Sequence, residues 1–315
     1  MKLRTAIDNY IRHKENLGND FKFAARCLRK FGQALGDIDV NDIPPLATKA
    51  FIFGNAPLTQ SLHLRYGIVR GLIQYMLARN YIDRSPLPHE IPKRPPEFVP
   101  HIYSQEELSR ILDAAKTQSG PYNITGQTLH TLILLLYGCG LRLSEALRLT
   151  VDDVDLNERS LMIRDTKFYK TRCVPFSSEL DHILRAYLVH RSEQRHPVSP
   201  EAFIFLTRQS LPISPRLMSL NFRRLLASAN VRRKRAHPRF GPRMHDLRHT
   251  FAVHRLTACY KNGGDPQRLL PALSTYLGHV NIVATIRYLT LTSELRRHAS
   301  KRFEKYAFPP GGSNE

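Results

Sequence analysis

Six of the chain's 21 prolines fall within residues 85–100, in the run Ser85-Pro-Leu-Pro-His-Glu-Ile-Pro-Lys-Arg-Pro-Pro-Glu-Phe-Val-Pro100. Proline has no amide proton to give to a ladder and biases the residue before it away from helical geometry, so no helix or central strand runs through this segment. It reads as an extended linker (residues 86–100) between two domains, residues 1–85 and 101–315. A chain of 315 residues has room for two. The most apolar stretch, Leu132–Leu141, is ten residues long. That is half of the roughly 20 needed to cross a bilayer, which makes it a buried core helix and argues against a membrane partner. The opening Met1-Lys-Leu-Arg-Thr-Ala-Ile-Asp carries charges where a secretory leader needs apolar residues. Cys27, Cys139, Cys173 and Cys259 form no CxxC pair, which disfavours a disulfide framework or a zinc site and fits a cytoplasmic protein.

Hydrophobic spacing before the linker is helical. Leu3, Ile7, Tyr10, Ile11 and Leu17 share one face, and Phe23, Cys27 and Phe31 recur every fourth residue. A short helix is expected over residues 45–53. A longer one follows over 59–81, carrying Leu62, Tyr66, Val69, Ile73 and Leu77, with Arg65, Arg70 and Arg79 on its other faces. After the linker, Ser104-Gln-Glu-Glu107 has the spacing of a capping box at a helix start. An apolar helix is expected over residues 127–149. Two β-favouring runs, 161–164 and 172–176, flank a polar turn and predict a hairpin. Helices follow near 178–191, from Ser214 with Pro215 in its first turn, and over 246–260, 266–277, 282–288 and 293–306. The expected fold class is mainly α with a small antiparallel β-sheet, in two domains.

The formal net charge is +20, from 47 Lys and Arg against 27 Asp and Glu, and both domains share the excess. Such a surface suits a polyanion, because each cation that meets a phosphate releases condensed counterions. Within that background five clusters have the residue types that chemistry needs. Arg142 and Glu145 leave the apolar helix together, where charges are costly unless they pair with each other or hold a ligand. Lys167 and Lys170 sit in the hairpin turn, either as solvated charges or as an ammonium that reaches into a cleft. His245 and Arg248 stand one turn apart at the start of a helix, preceded by Arg232, Arg233, Lys234, Arg235, Arg239 and Arg243 with no acidic residue between. A helix N-terminus with such a run can bind a phosphate or help it react. His279 follows Gly278, a natural helix C-cap, and Tyr288 lies nine residues further on.

Singly these residues are ambiguous, but their order is specific. The residues stand within the stretches Tyr137-Gly-Cys-Gly-Leu-Arg142-Leu-Ser-Glu145, Thr166-Lys167-Phe-Tyr-Lys170-Thr-Arg172-Cys-Val-Pro175, His245-Asp-Leu-Arg248-His-Thr-Phe-Ala252 and Leu277-Gly-His279 through Tyr288, and from Arg142 to Tyr288 they span 147 residues. Together they resemble the tyrosine recombinase (phage integrase) family, which includes Xer-type and transposon-encoded enzymes. The hairpin departs from the usual family pattern in having Phe168-Tyr169 after the lysine, and Lys261-Asn-Gly-Gly-Asp265 reads as an inserted loop. The resemblance implies a helical DNA-binding domain before the linker and an α/β catalytic domain after it. It implies site-specific recombination of double-stranded DNA through a 3′-phosphotyrosyl bond, with neither metal nor cofactor. Tyr288 would be the nucleophile, Arg142, Arg248 and His279 the phosphate ligands, His245 the base, Lys167 the acid, and Glu145 a support. Arg65, Arg70, Lys170, Arg172 and the six cations from Arg232 to Arg243 would hold the duplex. The resemblance further implies a homo-oligomer, a tetramer on DNA, alone or with related recombinases, located with the nucleoid. Leu295, Ala299 and Phe303 would form the apolar stripe of a last helix docking on a neighbour. A regulator without catalysis and a type IB topoisomerase share the same fold or chemistry and stand as alternatives.

Overall fold

The helix α1 (Leu3–Asn16) buries Leu3, Ala6, Ile7, Tyr10 and Ile11 on one face, as the spacing predicts, but Leu17 lies beyond its end and is exposed. In α2 (Lys22–Leu35) the buried face is Ala25, Leu28 and Phe31, while Phe23 stays in solvent. The every-fourth reading is corrected here: at about 100° per residue, eight residues turn Phe23 roughly 80° away from Phe31. Helix α3 (Pro45–Phe53) starts with proline in its first turn, where the missing amide costs nothing. Helix α4 (Gln60–Ala78) contributes Leu62, Val69, Leu72, Ile73 and Met76 to the same core. These four helices make one unit, Met1–Glu97, and the remainder, Phe98–Glu315, makes a second. Leu87, at the start of the proline-rich segment, packs against the first unit's core. In this computed structural model the described residues are 1–54, 59–88, 90–93, 99–117, 124–164, 171–232, 241–291 and 293–307.

The second unit opens on α5 (Gln105–Thr117). The Glu107 amide donates to Ser104 Oγ (3.2 Å) and the Ser104 amide to Glu107 Oε2 (3.0 Å), so the capping box forms as its spacing predicts. Helix α6 (Gly126–Gly138), capped by Thr125, is the centre of the core: Leu129, Leu132, Ile133, Leu135 and Leu136 are all buried. The helix expected over 127–149 is in fact interrupted. Gly140 takes φ +59°, the chain turns, and the single-turn helix α7 (Leu143–Ala146) begins at Arg142. A Cβ on Gly140 would lie 2.6 Å from Phe251 Cδ1 and 2.8 Å from Leu277 Cδ2, so backbone conformation and close packing both require glycine.

Three antiparallel strands follow, β1 (Val154–Asp155), β2 (Ser160–Ile163) and β3 (Arg172–Pro175), in that spatial order. Leu161 pairs with Val174, and both are buried. The hairpin tip, with Lys167 and Lys170, lies outside the described residues. Helices α8 (Ser178–Glu193) and α9 (Pro215–Ser228) are capped by Ser177 and Ser214. Helix α10 (His245–Lys261) crosses α6 and carries Phe251 and Leu256 into a second cluster. Leu273 and Leu277 of α11 (Pro266–Leu277) join it. The segment expected to be helical over 282–288 is one α-turn, α12 (Val283–Ile286), continued as a 3-10 turn, Arg287–Thr290, which carries Tyr288. In α13 (Ser293–Ala307), Leu295 is buried in that cluster and Glu294 pairs with Lys261 of α10 at 2.9 Å. The start of this helix therefore packs on its own unit, while Ala299 and Phe303 are exposed. No helix among the described residues is long and apolar enough to cross a membrane.

Gly140 and Gly18 have similar positive φ, +59° and +75°, but Gly18 has nothing within 4 Å of its Cβ position. Gly18→Ala should cost only the backbone strain, about 1–2 kcal/mol. Gly140→Ala should cost a further 1–3 kcal/mol or so from overpacking against Phe251 and Leu277. Denaturant melts of both variants check this, and equal losses would remove the packing argument.

Candidate active site

The capping box of α7 does more than start a helix. The Arg142 amide donates to Glu145 Oε2 (2.9 Å) and its guanidinium Nη1 to Oε1 (2.6 Å). From β3, Arg172 adds a bidentate pair, Nη1 to Oε1 (3.2 Å) and Nη2 to Oε2 (2.9 Å). Arg248 Nη1 is 3.9 Å from Oε2. One carboxylate thus faces three guanidinium groups, so the cluster carries a formal excess of two positive charges. Burial alone would raise the Glu145 pKa, but the hydrogen bond from Arg172 and the Arg142 amide outweigh it and hold the carboxyl at about 2. Burial pushes Arg248 down to about 10, which still leaves it charged at neutral pH.

The C-terminal end of α11 holds the same three arginines. Arg172 Nε donates to Tyr276 O (3.0 Å), Arg248 Nη2 to Leu277 O, and Arg142 Nη2 to Gly278 O (3.2 Å). These carbonyls have no partner within their helix and form its negative end, so cations are favoured there. Arg248 also donates to Gly140 O (2.7 Å), the residue at the break after α6. Gly278 closes α11 in the left-handed conformation, and a Cβ there would stand 2.8 Å from Arg172 Nη1.

Beside this cluster are three imidazoles and a phenol. Buried Asp246 accepts from the Arg243 amide and from Arg243 Nη2, both at 3.0 Å, and so fixes the start of α10. One turn apart on that helix, the rings of His245 and His249 meet edge to face at 4.8 Å. His249 Nδ1 is 3.2 Å from the Tyr288 hydroxyl. The His279 ring is 6.1 Å from the Tyr288 ring, and its Nδ1 is 2.8 Å from Thr285 Oγ1. Desolvation, reinforced by the arginines, lowers all three histidines, His249 to about 3 and His279 to about 4. His245 is solvent-exposed but stands among densely packed neighbours. All three rings are neutral at pH 7. Tyr288 is 4% exposed; burial raises its pKa, and Arg248 and Arg142 oppose the rise.

Six residues singled out in the sequence therefore converge: Arg142, Glu145, His245, Arg248, His279 and Tyr288. Other assignments change. Arg172, expected on the duplex, is spent on Glu145 and Tyr276 O with its side chain 10% exposed. A sequence signal existed, since Arg172 shares a strand face with buried Val174 two residues on. The motif order assigns His249 no role, although its i, i+4 relation to His245 on α10 places both on one helix face. Arg65 donates to Phe51 O (2.7 Å) and stacks over the Phe51 ring, so it supports the first unit's fold. Arg243 is tied to Asp246. Arg70 and Arg232 are exposed. Lys167, Lys170, Arg233, Lys234, Arg235 and Arg239 lie outside the described residues.

Because the folded pKa of Glu145 is depressed, its contribution to stability is fully present above about 4.5 and is lost as pH falls towards about 2. The stability gap between the wild type and Glu145→Gln, measured by urea denaturation, should be constant above pH 5 and shrink between those values. A gap independent of pH down to 2.5 would contradict it.

The pattern of the phage integrase family matches residues 102–294. The chain is 34% identical to the integrase/recombinase-like protein y4rB of Sinorhizobium fredii over 309 residues, 96% of this chain and 97% of that one. It is 31% identical to the tyrosine recombinase XerC of Chlorobaculum tepidum, across 76% of this chain and 71% of that one. Among solved structures, the Tn1549 transposon integrase in complex with a circular intermediate DNA superposes with a TM-score of 0.71 at 20% identity, over 96% of this chain and 99% of that one. A lambda integrase dimer bound to a core site gives 0.65 at 16% identity, over 93% and 97%. The family pattern spans the second unit from before α5 into the start of α13, and the relatives extend the likeness over nearly the whole chain. A buried tyrosine beside clustered arginines and histidines, in a chain with these relatives, belongs to a member of the phage integrase family, a tyrosine recombinase.

Proposed function

We propose that this chain recombines double-stranded DNA at specific sites by cutting and rejoining strands through Tyr288. The observation that carries this reading is the Tyr288 hydroxyl set against Arg248 and His249, beside a carboxylate-anchored arginine cluster with excess positive charge. Tyr288 Oη attacks the scissile phosphorus, a 3′-phosphotyrosyl bond forms, and the 5′-oxygen leaves with a proton. The 5′-hydroxyl of a second strand then reverses the step, so one phosphodiester bond replaces another and no external energy source is needed. Arg142, Arg248 and His279 ligate the non-bridging oxygens, whose charge grows in the transition state. Arg142 and Arg248 are held before substrate arrives by Glu145 and the carbonyls of α11, so little reorganisation is left for the reaction. Arg172 acts through Glu145 as a positioning residue. An imidazole of the site takes the phenol's proton, and Lys167 of the hairpin supplies one to the leaving oxygen.

The remaining cations hold the duplex, including exposed Arg70 and Arg232 and the run from Arg233 to Arg239. Four protomers assemble on two paired sites, alone or with related recombinases, and exposed Ala299 and Phe303 of α13 support contact with a neighbour. Its substrate places the protein with the cell's DNA.

Incubation with nicked duplexes that lose a short 5′-hydroxyl strand on cleavage should trap a denaturation-stable protein–DNA adduct, and Tyr288→Phe should give none. An adduct formed by that variant would overturn the assignment. Relaxation of supercoiled plasmid without exchange between paired sites would favour a topoisomerase, and tight binding without any adduct a regulator. Raising salt from 50 to 200 mM should weaken DNA binding by roughly 10³-fold or more. Arg142→Ala, by contrast, should abolish the adduct with less than about tenfold loss of binding, because it removes one of many phosphate contacts. Gel-shift titrations across salt concentrations read both effects.

A further inference from the structure

The fold presents two histidines to the nucleophile, and they are not equivalent. His245 stands at the first position of α10 and is solvent-exposed. His249, one turn on, is half-buried, and among the described residues it is the imidazole whose nitrogen lies within hydrogen-bond distance of the Tyr288 hydroxyl, 3.2 Å from Nδ1. The ring planes of His249 and Tyr288 are inclined by 57°, with centroids 5.6 Å apart. His279, the third imidazole of the site, stacks near the Tyr288 ring but directs Nδ1 at Thr285 Oγ1.

We infer that His249 is the direct proton acceptor for Tyr288, and that His245 faces the DNA phosphate. This rests on the recombinase reading above and assigns a step within it. The Tyr288 O–H bond donates to an unprotonated His249 Nδ1. As Oη bonds to phosphorus, the O–H bond breaks, the proton moves to Nδ1, and the bond from phosphorus to the 5′-oxygen breaks with that oxygen protonated by the hairpin acid. On rejoining, the proton on Nδ1 returns to the departing phenolate. No oxidant, metal or second nucleophile is required.

The surroundings keep the acceptor free. His249 is faced by His245 and Arg248 of its own helix, by Arg243 from the segment before it, and by Arg287 and Tyr288 from the 3-10 turn. Burial and these cations hold it neutral across the physiological range, so Nδ1 has a lone pair to offer. The same cations also lower the cost of a nearby phenolate, as Arg248 does for Tyr288.

The test uses the full-length chain and a nicked duplex selected from a randomised pool by covalent capture on the wild-type protein. Single-turnover adduct formation is followed from pH 6 to 9.5 for the wild type, His249→Asn and His245→Asn. The asparagine carbonyl at 249 can still accept the phenol's hydrogen bond but cannot take its proton. His249→Asn should cut the rate by about 10²–10⁴ at pH 7, the usual range for a lost general base. Its rate should rise close to tenfold per pH unit as hydroxide takes over, while the wild type stays nearly flat and DNA affinity is unchanged. His245→Asn should lose rate by a factor that does not vary with pH. A His249→Asn rate within threefold of wild type, or a loss equal at every pH, would overturn the assignment and leave the recombinase reading intact. Failure of the wild type to capture any duplex would overturn that reading and this inference with it.

Discussion

The site is built around one carboxylate. Three arginines crowd Glu145, which is buried to within 7% of full enclosure at its side chain. Guanidinium groups gathered this closely repel one another, and in a low-dielectric interior that repulsion would expel at least one. The carboxylate offsets a single charge, and the three carbonyls at the end of α11 solvate what is left. If one partner of a buried ion pair is lost, the rest remain as uncompensated charge, typically at a cost of about 3–5 kcal/mol. Glu145 therefore sets the geometry of residues that it does not touch, through the arginines that it does.

The same electrostatics governs the histidines. In ordinary surroundings an imidazole titrates near pH 6.5, and here desolvation and the cation cluster lower all three, His249 and His279 well below that. A positive site that keeps its imidazoles neutral can receive an anion and still accept a proton. An anion bound there would partly cancel the field that lowers the histidines and draw their affinity for a proton upward. Arginine cluster and histidines are thus coupled by charge, though they come from different elements.

Much of this was legible in the sequence, for identifiable reasons. Helix starts with side-chain caps, at Ser104 and Ser214, follow local rules and lie where local chemistry places them. The motifs of the site were legible as an ordered set, because their resemblance to the tyrosine recombinase family picks out Arg142, Glu145, Arg248, His279 and Tyr288. What escaped depends on tertiary geometry. The break after α6 requires knowing that Phe251 and Leu277 press on Gly140. Arg172 looked like one more surface cation until the hairpin register turned it towards Glu145. His249 sits beside the conspicuous Arg248, and only the return of the chain at Tyr288 gives it a partner. On α2, Phe23 misled because aromatic character outweighed angular position.

The bonds that immobilise the arginines join distant parts of the chain. Gly140 and Arg248 are 108 residues apart, and Arg142 and Gly278 are 136 apart. Contacts of such long range form only after much of the chain has been ordered, and they form slowly. During synthesis, which runs from the N-terminus, the basic first unit and much of the second emerge before α11 exists to hold the arginines in place. A nascent or truncated chain can therefore carry a basic surface without a completed arginine cluster. For a tyrosine recombinase, folding order thus becomes a matter of timing: the arginine cluster is completed last.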